Sequence, residues 1–333
     1  QPKPILPARP STGPGRGAGA PGGPTLGTLA IGLCSWTDRS LVQSRRFYPD
    51  WAKTPEDRLR FYASVFPTVE VDASFYALPT RENAARWVQR TPNGFTFHVK
   101  AFALFTRHAT DVRRLPRDLQ DALPAEARAK GRLYDHDLPP EVRDELWRRF
   151  ADALLPLDSA GKLGLVLFQF PHWFYPGQER RDYLLECQAR LPQYRLAVEF
   201  RNARWLDHET ERTLRFLADH RLAYVCVDEP QGTRSSVPPL AAATTDVAYV
   251  RFHGRNRATW ERRGAATTAE RFDWWYRDEE LLEWVPRARS LQEETRVTYL
   301  MFNTNNQDQG PANARKLSAL LGGEGLQQGQ LVA

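Results

Sequence analysis

The chain has 333 residues, 41% of them hydrophobic and ten of them tryptophan, enough for one large domain or two ordinary ones with broad apolar and stacking surfaces. No stretch reaches the roughly 18–20 consecutive apolar residues of a membrane span, and no signal-type apolar segment is visible, so a soluble, cytoplasmic protein without a membrane partner is expected. The formal charge is +6, but Lys3, Arg9 and Arg16 sit in the opening segment with no acid to balance them. The remaining body is close to neutral, a weak argument for nucleic-acid binding.

Residues 1–27 are rich in Pro and Gly and poor in large apolar groups, so a disordered arm is expected there. Eight β-rich runs follow, separated by segments with helical spacing: LAIGLCS (29–35), TVEVDASF (68–75), FTFHVKAF (95–102), LGLVLFQF (163–170), RLAVEFR (195–201), LAYVCVD (222–228), VAYVRFHG (247–254) and VTYLMFN (297–303). In PPEVRDELWRRFADALLPL (139–157), between the third and fourth runs, Val142, Leu146, Phe150 and Leu154 fall four apart on one stripe. This alternation predicts an α/β fold, a single TIM-type (β/α)8 barrel over residues 28–321. An open doubly wound sheet is the competing layout, but no GxGxxG follows the first run. The insert at about 108–138 is polar and proline-punctuated, which predicts a lid or a poorly ordered loop. Residues 322–333 are expected to form a flexible tail. Cys34, Cys187 and Cys226 are odd in number and lack metal-type spacing, so buried reduced thiols are expected.

Side chains alternate faces along a strand. Val69, Val71, Ala73 and Phe75 form one set, and Glu70, Asp72, Ser74 and Tyr76 the other. The same division separates Thr96, His98 and Lys100, then Glu199 and Arg201, then Tyr249, Arg251, His253 and Arg255, from apolar neighbours. The polar sets are expected in the barrel lumen with their charges near the C-terminal strand ends, where such barrels place active sites. The strand ends Gln169, Asp228 and Asn303 are added to that mouth.

These segments carry a resemblance. IGLCSW (31–36), VEVDASFYALP (69–79), TPNGFTFHVKAF (91–102), GKLGLVLFQFP (161–171), VEFRNARW (198–205), VRFHGR (250–255) and FNTNNQDQGPANARKL (302–317) resemble, in order, the domain-of-unknown-function 72 (YecE-like) family. The resemblance implies a TIM-type barrel and no particular reaction. The family often has adjacent asparagines after the last strand. Here Thr304 separates Asn303 from Asn305 and Asn306, so no single asparagine's role is carried over.

The residues themselves suggest three kinds of chemistry. Arg251, His253 and Arg255, with Gly254 and the loop before a helix near Pro311, predict an anion site for a phosphorylated or carboxylated ligand. Glu70, Asp72, Glu199 and Asp228 are candidate bases, His98 and His253 candidate proton shuttles, and Lys100 a charge clamp or, as the alternative, a Schiff-base amine. Tyr76, Gln169, Arg201 and Asn303 join the arginines as substrate contacts. Trp36, Tyr76, Trp173, Phe174 and Trp205 follow strand ends, where they can stack on a ring or plug a loop. The leading reading is therefore an enzyme acting on a small anionic or phosphorylated substrate by acid–base catalysis, with no cofactor favoured. The alternatives are a nucleic-acid phosphodiesterase dependent on a divalent metal and a non-catalytic ligand-binding barrel.

Overall fold

Each of the eight anticipated runs becomes a strand of one closed parallel barrel in the computed structural model, which describes residues 26–262 and 268–327. The strands are β1 (Thr28–Leu33), β2 (Thr68–Val71), β3 (Thr96–Lys100), β4 (Leu163–Gln169), β5 (Leu196–Glu199), β6 (Ala223–Asp228), β7 (Val247–Phe252) and β8 (Val297–Phe302). Each pairs with its neighbours in sequence, and β1 closes on β8 over six residue pairs from Thr28 with Val297 to Leu33 with Phe302. This is the TIM-type architecture.

The helix layer comprises α1 (Pro55–Val65), α2 (Arg81–Gln89), α3 (Pro140–Ser159), α4 (Gln178–Arg190), α5 (Thr210–Asp219), α6 (Val285–Glu294) and α7 (Gln309–Leu320). Local chemistry sets their starts. Thr54 and Asp57 form a reciprocal capping box ahead of Pro55, and the Thr80 hydroxyl accepts from the Asn83 amide. The stripe Val142, Leu146, Phe150 and Leu154 on α3 is buried, as its spacing predicts. None of the helices among the described residues is long and apolar enough to cross a membrane.

The β6–β7 connection breaks the alternation. Residues 229–246 contain no helix, and Pro238 and Pro239 remove two backbone donors from the segment that would have to form one. An extended strap covers β6 instead, with the Cys226 thiol donating to the Ala242 carbonyl.

The insert after β3 is an ordered structure. Thr110–Asp111 and Arg132–Leu133 pair antiparallel, and Leu115, Leu119, Leu123 and Leu133 are buried within it. Part of the anticipated tail is also tied down. The Ile31 amide donates to the Gly325 carbonyl at 2.7 Å, and the Gln327 amide to the Val65 carbonyl at 3.1 Å. β1 and β2 pair over only two residues, so the chain at Gly325 supplies the acceptor that β2 does not. The expected arm, up to residue 25, and the last six residues lie outside the described residues. All three cysteines are buried free thiols.

Candidate functional site at the barrel mouth

The lumen is built from the polar faces of the strands. Near its centre Arg251 of β7 meets Glu70 of β2 and Glu199 of β5, none of them exposed. Arg251 Nη2 donates to Glu70 Oε1 at 2.6 Å and Nε to Oε2 at 3.1 Å. Nη1 donates to Glu199 Oε2 at 2.7 Å and to Gln169 Oε1 at 3.2 Å. Tyr249 adds a hydroxyl bond to Glu70 at 2.7 Å. Each nitrogen of the guanidinium therefore has a protein acceptor. Burial pushes the Glu70 carboxyl up, with Arg251 acting against it. Burial acts the same way on Glu199, but Arg201, Arg251 and His253 outweigh it and hold that group well below the usual carboxylate range.

Beneath this network, the His98 ring meets Tyr249 and Tyr299 edge-on. Its Nδ1 accepts from the Leu165 amide at 3.0 Å. Gly164 makes room for it, since a Cβ there would stand 2.5 Å from the imidazole Cε1. A bulge between β3 and β4 at this level brings the two together.

Above the network lie Arg201, Glu229, His253 and Asn303. Arg201 Nη2 is 2.6 Å from Glu199 Oε1, and Nη1 donates to Glu229 Oε2 at 2.8 Å. Burial raises the Glu229 carboxyl to about 8, Arg201 opposing it. With Glu229 protonated, two carboxylates face two guanidiniums and the buried charges balance. An asparagine chain holds the His253 ring from its other side. Asn305 Nδ2 donates to Asn303 Oδ1, so Asn303 turns its own amide nitrogen toward His253 Nδ1 at 3.0 Å. His253 Nε2 lies 3.2 Å from Glu199 Oε1 and 3.0 Å from Arg201 Nη2.

At the rim, Lys100 Nζ sits 3.3 Å from Asp72 Oδ1 and 4.7 Å from the centre of the Phe75 ring. This pair differs from the inner one. Among the described residues Asp72 Oδ1 accepts no hydrogen bond, and its side chain is 25% exposed. The Ser74 hydroxyl is within 2.8 Å of the Val71 carbonyl and 2.6 Å of the Lys100 carbonyl, which fixes the ends of β2 and β3 beside each other. His108, brought in by the insert, packs between the Phe75 and Trp173 rings.

Several sequence expectations need correction. Asp228 points away from the lumen, because it pairs in register with the outward Phe252. It accepts from Arg255 Nη2 at 2.8 Å, Trp284 Nε1 at 2.8 Å and the Tyr276 hydroxyl at 2.5 Å. Arg255 leaves the mouth because Gly254, at φ +81°, turns the chain after β7, and it pairs with Asp228 and Glu283. Arg251 and Arg255 therefore face carboxylates rather than an open anion site. β2 ends at Val71, and the following turn of 3-10 helix, Ala73–Phe75, breaks the alternation, leaving Tyr76 half-exposed and Ser74 buried. His98 and His253, expected as shuttles near neutral pH, are both lowered to about 3, by burial first and, for His253, then by Arg201.

Glu229, Trp260 and His108 are the lumen-facing or rim residues that sequence reasoning missed. Of the aromatics, Trp36, Phe174 and Trp205 are buried, whereas Tyr76 and Trp173 are exposed. Among the described residues no three His, Cys, Asp or Glu side chains converge as a metal-ligand set. Cavities of about 630 Å³ between α4 and α5, and about 540 Å³ between α1 and α2, lie in the helix layer and are not lined by the lumen network.

Comparison with known proteins agrees with this architecture. The family described as "Protein of unknown function DUF72" matches residues 30–331. The UPF0759 protein YunF of Bacillus subtilis (strain 168) is 32% identical over 297 residues, covering 88% of this chain and 94% of that protein. Among solved structures, a DUF72 family protein (TM1631) from Thermotoga maritima MSB8 is 27% identical with a TM-score of 0.68, covering 89% of this chain and 99% of its own. A DUF72 family protein (EF0366) from Enterococcus faecalis V583 is 24% identical with a TM-score of 0.71, over 89% and 96% of the two chains. With the family match spanning nearly the whole chain and a relative above 30% identity, the chain belongs to the DUF72 family.

Proposed function

We propose that the barrel mouth binds a small anionic substrate, phosphorylated or carboxylated, and acts on it by acid–base chemistry in which Asp72 is the base and Lys100 the charge clamp. The observation that carries this reading is the contrast between two ion pairs. Arg251 and its carboxylates are wholly enclosed and mutually bonded, which suits a structural role. Lys100 and Asp72 are at the strand ends, their side chains 11% and 25% exposed, with no hydrogen bond between them and with Asp72 Oδ1, the oxygen facing the ammonium, buried and unbonded. An ammonium with free donors is a receptor for an anion, and a carboxylate with a free oxygen is an acceptor for a proton. The enclosure of Arg201, His253 and Asn303 favours a small molecule over a polymer. Tyr76 and Trp173 supply exposed rings at the entrance.

A thermal-shift screen of small phosphorylated and carboxylated compounds tests the reading. A true ligand stabilises the wild-type protein and does not stabilise Lys100→Ala. Mass spectrometry then follows conversion of that ligand, which Asp72→Asn should abolish while leaving binding. Conversion that persists in chelator-treated protein supports chemistry by side chains, and conversion restored only by added divalent metal refutes it. If every ligand found stabilises Lys100→Ala as well as the wild type, the assignment of the clamp fails.

A further inference from the structure

Two buried donors beside the rim have no acceptor among the described residues: Arg201 Nε and Trp260 Nε1. Both side chains are more than nine-tenths buried, Arg201 at 8% and Trp260 at 4% exposure. They are also neighbours. The Arg201 guanidinium carbon lies 5.0 Å from the centre of the Trp260 ring, and that ring packs on His253 and Phe272. An N–H withdrawn from water with nothing to bond forfeits the hydrogen bond it had in water, and two of them side by side call for an explanation. Arg201 has given Nη1 to Glu229 and Nη2 to Glu199 and His253, so Nε is the edge it still offers.

We infer that Trp260 and Arg201 form a slot for one oxygen of the anionic ligand, the indole Nε1–H and the guanidinium Nε–H being its two donors. The inference rests on the anion-binding reading above and adds a specificity-determining residue to it. Two donors each about 2.9 Å from one oxygen lie at most about 6 Å apart, which the packing of this pair permits. The guanidinium supplies charge, and the indole, a donor that accepts nothing, excludes a ligand group that presents a hydrogen there. A phosphate or carboxylate oxygen satisfies the slot, and an amide or ammonium nitrogen does not. Lys100 and Asp72, on the rim, then meet the remainder of the ligand.

Inorganic phosphate is the probe, titrated into the 15N-labelled full chain at constant ionic strength, with chloride as control. Each tryptophan gives one indole signal, and Trp260→Phe identifies the signal of Trp260. A saturable downfield shift of that signal with phosphate and not with chloride is expected. Trp260→Phe should weaken phosphate binding roughly tenfold, the size of one charge-assisted hydrogen bond. Trp51→Phe, on the exposed outer surface, should not. Should Trp260→Phe fail to fold, Arg201→Lys, which keeps the charge and removes Nε–H, should weaken binding instead. Phosphate binding that depends on Lys100 while the Trp260 signal stays still would overturn the slot, leaving those donors to water, and would leave the rim reading standing. A Trp260 response that survives Lys100→Ala would uphold the slot and refute the clamp. No saturable phosphate response in the wild-type chain overturns the slot outright.

Discussion

Arg251 and Glu70 are joined by two parallel hydrogen bonds across the barrel lumen, from strands 181 residues apart in the chain, and neither side chain touches solvent. A fork of this kind fixes the mutual orientation of β2 and β7, three strands apart around the barrel, as well as their distance. Because Glu199 takes the third guanidinium nitrogen, β5 is held to the same point.

Removing Arg251 leaves the buried Glu70 with only the Tyr249 hydroxyl against it, while Glu199 keeps Arg201. Arg251→Ala should therefore destabilise the protein by about 3–5 kcal/mol, read as a lower urea midpoint. Arg251→Lys should recover only part of the loss, because an ammonium cannot reproduce the paired geometry. A midpoint for Arg251→Ala equal to that of the wild type would show that the network does not hold the barrel.

Asp72 and Asp228 should separate cleanly. Asp228→Asn removes the charge that Arg255, Tyr276 and Trp284 surround, and should cost about 1–3 kcal/mol of stability without changing ligand affinity. Asp72→Asn should stay within about 1 kcal/mol of the wild-type stability and abolish turnover. Thermal denaturation with a binding assay on both variants decides it. The reverse pattern would return Asp228 to the active centre.

That contrast also shows where the sequence can be read and where it cannot. The Val, Phe and Tyr runs gave all eight strands, because a barrel strand needs a long apolar face against the helices whatever its lumen carries. The two-residue period put Glu70, His98, Glu199 and Arg251 inside for the same reason. Asp228 is the last polar residue of its run, yet the period that places Val225 and Val227 inward places Glu229 there and Asp228 outside. Arg255 required knowing that Gly254 turns left-handed, and Tyr76 that β2 stops at Val71. Trp260 carries no local signal at all. It belongs to a four-residue helix, Arg257–Trp260, in the long β7–β8 connection, and only the folded chain sets it against Arg201.

Gly164 gives a packing test. A methyl group there would stand 2.5 Å from His98 Cε1, 2.6 Å from Nδ1 and 2.7 Å from Thr96 Cγ2. Gly164→Ala must displace the ring and break its bond from the Leu165 amide, at a cost of about 1–3 kcal/mol. The cost should shrink in a His98→Ala background, since the ring is then gone, and a double-mutant cycle measures that coupling. Additive losses would mean that the glycine is there for another reason.

Glu229 predicts a pH dependence of stability with a definite sign. Burial holds its folded carboxyl at about 8, against about 4.3 in an unfolded chain. Between those values the folded protein keeps a proton that the unfolded chain has lost, so this group's contribution to stability falls as pH rises through the window. Below the window both states are protonated, and above it both are ionised, so the slope vanishes at each end. Glu229→Gln keeps an acceptor for Arg201 and cannot ionise. Relative to the wild type, the variant should gain stability steadily between about pH 4.3 and 8 and level off beyond. Urea denaturation of both proteins across that range gives the difference directly. A difference that is flat or falls with pH would show that Glu229 is ionised in the fold, and that Arg201 then faces two carboxylates rather than one.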